Sequence, residues 1–95
     1  MGESAKTEAA LRDLAERFAA IEHERWSHWQ LYMHSMGERR SDGSLLLPAD
    51  LVARWERQAA TAFADLTEHE KESDREQVSR YLPIIADLLR KAGAS

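Results

Sequence analysis

The sequence has no cysteine, which excludes disulfides, thiolate nucleophiles and cysteine-based zinc sites together. With 4 Gly and 2 Pro there is little to break helices, and no signature of a disordered or collagen-like chain. No apolar run approaches the ~18 residues that a membrane helix needs. Positive charge is also in short supply. Thirteen Lys and Arg face seventeen Asp and Glu, a net charge of −4, which argues against a long nucleic acid as partner. Met1 to Thr7 are polar, carry no signal-peptide stretch and are expected to be flexible. The cytoplasm is the expected compartment, with no membrane partner.

What is present is a chain 43% hydrophobic and 32% charged, enough for one modest core in a single domain over residues 1–95. Leu11, Leu14, Phe18, Ile21, Trp29, Met33 and Met36 recur at three-and-four spacing and predict a long helix from Ser4 to Met36. That spacing places Phe18 and Trp29 in the core, and Gly37 is expected to end the helix at the C′ position. A polar loop follows with Arg39, Arg40 and the turn pair Asp42-Gly43, its two arginines suited to a small anion. Leu45-Leu46-Leu47 can form only a short extended piece. Pro48 sits well at the first position of a second helix, 48–61, that buries Leu51, Val52, Trp55 and Ala59. Thr67-Glu68-His69-Glu70 reads as a capping box opening a third helix. Val78, Tyr81, Leu82, Ile85 and Leu89 form its apolar stripe, which Pro83 should kink or divide.

His23 and His28 suggest a zinc-protease motif, but that motif needs histidines four apart. At five apart they lie about 140° round the helix, and His34 is roughly 16 Å along from His23. No metal and no cofactor are expected. Nor is catalysis: there is no nucleophile elbow and no glycine-rich phosphate loop. Trp26 lies off the centre of the core stripe beside His23 and Arg25. It reads equally as core and as the wall of a pocket for a planar ring. Lys71 and Arg75, four apart near a helix start, read either as surface cations paired with neighbouring acids or as a grip for phosphate oxygens.

His23-Glu24-x-Trp26, Leu46-Leu47-Pro48, and Leu66 ahead of Glu70-Lys71-Glu72-x-Asp74-Arg75 resemble, in order, the landmarks of the ryanodine-receptor repeat, the RyR domain. The chain also resembles short proteins encoded by phages and prophages, in its Trp-Glu-Arg-Gln and Glu-Lys-Glu-Ser-Asp-Arg-Glu words. It departs from the RyR pattern in two places. Ala49 to Ala64 add an extra helix, and the Gly-Trp pair after the first helix is missing.

The resemblance implies an all-α, RyR-like bundle of three to four helices with a short extended segment, over residues 8–92. It also implies a binding module, not an enzyme. The ligand expected is a small anionic, nucleotide-derived messenger, held by a stand-alone protein such as a phage counter-defence sponge in the host cytoplasm. The alternative is a protein–protein or assembly module with no small ligand. Trp26 would stack on the base; His23, Arg25, Lys71 and Arg75 would donate to phosphates or ribose; Asp74 would orient Arg75. Leftover apolar surface would make the chain a homo-oligomer.

Overall fold

The computed structural model describes residues 2–94, so Met1, part of the segment expected to be flexible, lies outside the described residues. The fold is all-α. Helices α1 (Gly2–Ser35), α2 (Ala49–Ala59), α3 (Glu68–Val78) and α4 (Leu82–Ala94) carry the chain, joined by strands β1 (Glu38–Arg39) and β2 (Leu45–Leu46) and a 3-10 turn, Phe63–Asp65. Among the described residues no helix is long and apolar enough to cross a membrane. Where the sequence suggests one domain, contacts divide the chain into two compact units. The first comprises Met1–Trp26 with Arg75–Ser95, the second Ser27–Asp74. The 34 residues of α1, about 50 Å of helix, are shared between them.

In the first unit α1 and α4 run antiparallel, because contacts advance along one helix as they retreat along the other. The Phe18 ring meets the Tyr81 ring edge-on at 4.9 Å. The Tyr81 hydroxyl donates to Glu22, and Arg80 pairs with Glu24. Ala10, Leu14, Phe18 and Ile21 of α1 are half-buried, and so are Tyr81, Ile84 and Leu88. Pro83 divides the third predicted helix as expected. It lies in the first turn of α4, where its missing N–H leaves no bond unmade.

In the second unit the end of α1 leads into a hairpin with Glu38 opposite Leu46 and Arg39 opposite Leu45. Its turn needs Gly43, whose φ of 91° lies in the region that L side chains avoid. Asp42 accepts both the backbone N–H and the hydroxyl of Ser44, at 2.9 and 2.6 Å. Gly37 stands just past the end of α1, at the C′ position expected. It has no positive φ; its value is space, since a Cβ there would lie 3.1 Å from Leu47 Cδ2. The predicted capping box is present: Glu70 N–H donates to the Thr67 hydroxyl at 3.2 Å, and Thr67 N–H donates back to Glu70 at 3.0 Å.

None of the described residues is fully buried. Trp29, expected in the core, is 40% exposed and Phe18 only half-buried.

Candidate functional site

The second unit holds a cleft of about 440 Å³, within the range of small-molecule sites. Three helices supply its walls. α1 gives Trp29 and Tyr32, one helical step of three apart; α2 gives Arg54, Trp55 and Gln58; α3 gives His69, Glu70 and Ser73. The rings pack against one another along the cleft wall. Trp29 and Trp55 meet edge-on at 5.3 Å, and Tyr32 lies tilted against Trp29 at 5.6 Å. Trp29 and Tyr32 nonetheless stay 40% and 41% exposed.

The polar side of the cleft is organised by Glu70. One carboxylate oxygen takes the Thr67 N–H and hydroxyl, and the other takes Arg57 Nη2 at 3.1 Å, tying α2 to α3. These bonds, the Thr67 backbone N–H first, hold the Glu70 carboxyl below its ordinary range. Its charge is therefore spent on the cap and on Arg57. Arg54 and His69 remain as donors on the cleft wall, with the Gln58 amide and Ser73 hydroxyl beside them. The site can stack a planar ring and offer hydrogen bonds to anionic or polar substituents.

A second concavity, of about 520 Å³, lies along Met36, Gly37, Glu38 and Leu46 to Ala49. It has no aromatic side chain and a single charged one, so it offers little to recognise a small polar molecule.

The six residues selected from the sequence line neither concavity. His23, Arg25, Trp26 and Arg75 fall in the first unit, Lys71 and Asp74 in the second. The His23 and Trp26 rings lie nearly parallel, 6.2 Å apart, with Trp26 56% exposed. Arg25 turns back to Glu22 at 2.6 Å. Lys71 reaches Glu68 at 3.5 Å and lies over the Phe63 ring at 6.0 Å. Asp74 is exposed, and so is Arg75. Sequence reasoning did not single out Arg54, Gln58 or Ser73 and treated Trp55 as core. The available signal was Arg54, Trp55 and Gln58 gathered on one side of α2. Among the described residues no group of three or more His, Asp or Glu is placed to hold a metal ion.

Fold and cleft together define a small all-α protein with an aromatic-walled concavity between three helix segments. No family model, no curated protein and no solved structure matches the chain.

Proposed function

We propose that this protein is a binding module for a small, planar, anionic molecule of the nucleotide kind, held in the cleft of the second unit. One observation carries the reading: Trp29, Tyr32 and Trp55 converge with Arg54 and His69 on a single cleft of suitable size. A base stacks on the open ring faces, and Arg54 and His69 donate to phosphate or ribose oxygens. The RyR-like landmarks in the sequence support a binder over a catalyst. Binding of such a messenger would sequester it, as a phage counter-defence sponge does in the host cytoplasm.

Calorimetry against cyclic dinucleotides, cyclic oligonucleotides and ADP-ribose derivatives tests this, with one micromolar or tighter ligand expected. Arg54→Ala removes a charge-assisted contact from an exposed side chain and should weaken binding about tenfold or more without unfolding the chain. His23, Arg25 and Trp26 offer a second placement for the same ligand class, motivated by the parallel His23 and Trp26 rings. Trp26→Ala reports on that placement: a loss there with Arg54→Ala unchanged would move the site. A blank across the panel, with one stoichiometric protein partner recovered instead, would replace the ligand reading with the assembly reading.

A further inference from the structure

The polar side chains on the wall of the second unit's cleft divide by whether the protein already uses them. Glu70 is engaged: its carboxylate accepts from Thr67 and from Arg57. Arg54, Gln58, His69 and Ser73 are not, since none of their side chains makes a hydrogen bond or ion pair with a described residue. That is not the habit of this chain's arginines. Arg17, Arg25, Arg57, Arg80 and Arg90 each pair with a carboxylate. Gln58 is more telling still, because it is half-buried, and an amide drawn away from bulk water ordinarily has a partner.

The recognition groups come in single copies. Positions 54, 55 and 58 bring a cation, a ring and an amide to one side of α2, where residues three and four apart are neighbours. Arg54 is the sole Lys or Arg on the wall, and the sole carboxylate there, Glu70, is answered by Arg57. The cleft therefore offers one uncompensated positive charge. It also offers one stacking wall. A base held between two rings needs them parallel and about 7 Å apart, twice the ~3.5 Å of van der Waals contact. Trp55 and Tyr32 are inclined to Trp29 by 72° and 33°, so no two of the three rings are parallel. At 5.3 and 5.6 Å between centroids, neighbouring rings leave no slot between them. The volume of about 440 Å³ falls toward the small end of the ~300–1,000 Å³ found for ligand sites.

We propose that the cleft recognises a single nucleoside monophosphate unit: one base on the ring wall, its edge read by the Gln58 amide, and one phosphate held by Arg54. This rests on the binding reading above and narrows it, since a larger messenger is gripped by one of its units while the rest stays outside. Gln58 sets the kind of ring that is taken. A primary amide places a donor beside an acceptor, so it matches the edge of a nucleobase and is left unpaired by a plain aromatic ring. Cβ atoms four positions apart on a helix lie about 5–6 Å from each other, so Arg54 and Gln58 reach two ends of one small molecule.

The test is calorimetry on the full chain with the four 5′-nucleoside monophosphates, the matching nucleosides and triphosphates, and the four cyclic dinucleotides with two identical bases. For at least one base the monophosphate should bind no more than about tenfold more weakly than the cyclic dinucleotide, and about tenfold or more tighter than the nucleoside. The triphosphate should gain less than the roughly tenfold that a further charge-assisted contact gives. Arg54→Ala should erase the advantage of monophosphate over nucleoside, whereas Gln58→Ala should weaken both alike. A cyclic dinucleotide that binds at micromolar strength, with its monophosphate more than about tenfold weaker, overturns this inference and leaves the ligand-binding reading standing. So does a triphosphate that exceeds the limit above, or an Arg54→Ala chain that still prefers the monophosphate. Silence from all of these compounds overturns it too, and the ligand-binding reading falls with it if ADP-ribose derivatives are also silent.

Discussion

In the first unit the apolar side chains run in rows along two antiparallel helices; in the second they gather as rings around a concavity. In the first unit Leu11, Val78, Leu82 and Leu89 are each more than half exposed. The rings leave a hollow of small-molecule size, edged by an arginine and a histidine. Neither unit fully buries a described side chain, so in both the uncovered apolar surface is the informative feature. The difference lies in side-chain shape. Leu82, Ile85 and Leu89 recur at three-and-four spacing along α4, whereas Trp55 meets Trp29 edge-on and Tyr32 lies tilted against it.

The strongest way to break the comparison is to remove the central ring of the second unit. Trp55 is half-buried and meets Trp29 edge-on, so Trp55→Ala should cost about 3 kcal/mol, the low end for a packed aromatic. The loss should be local. Hydrogen exchange should speed up in residues 27–74 and leave the α4 amides protected. Phe18→Ala, which removes the ring against Tyr81, should show the reverse pattern. Equal loss of protection in both units from either substitution would mean that the chain unfolds as one body, and the two-unit description would fail.

A smaller effect sharpens the contrast in how helices begin. α3 starts on a side-chain cap, whereas α2 starts at Pro48 with no side-chain hydrogen bond. Thr67→Ala removes the hydroxyl that accepts the Glu70 N–H and should cost ~1 kcal/mol. The first turn of α3 carries His69 and Glu70 into the cleft, so ligand binding should weaken along with helix protection there. An unchanged melting temperature would show that Glu70 and Arg57 hold the turn without the cap.

Local chemistry in the sequence accounts for much of this fold. The Asp42-Gly43 turn, the Thr67–Glu70 cap and the break at Pro83 each follow from residues within four positions of one another, and each is found where it is expected. Helix ends differ by a residue or two: α1 begins at Gly2, ahead of Ser4, and α2 ends at Ala59, short of Thr61. The cleft was not legible. Its rings come from positions 29 to 55, and nothing in a period of 3.6 says which helix faces which. Periodicity placed Trp29 in the core, whereas it meets Trp55 edge-on and stays 40% exposed. The role of Gly37 was hidden for the same reason, since its near neighbour Leu47 lies ten residues further along.

The smallest expected effect separates the units by pH. In the first, the Glu22 carboxyl is held below its ordinary 4.5, chiefly by the Arg25 guanidinium and then by the Tyr81 hydroxyl. A depressed carboxyl contributes stability that is present above its ordinary value and lost as pH falls through the lowered one. Glu70 does the same for the second unit, so both should weaken in acid. The alkaline side differs. The Tyr81 phenol is pushed above 10.0, first by its hydrogen bond to Glu22, and a raised group contributes stability that is full below its ordinary value and lost as pH rises through the raised one. Among its described residues the second unit has no such phenol–carboxylate bond. Between these limits hydrogen exchange stability should be flat in both units, and above about pH 10 only the first should show a tyrosine-linked decline. Tyr81→Phe keeps the ring against Phe18 but cannot ionise, so it should begin less stable at neutral pH and lose that decline. If the α4 amides of Tyr81→Phe follow the wild-type curve through the alkaline range, the hydroxyl does not hold α1 to α4, and the Phe18–Tyr81 ring contact is left as the fastening of that seam.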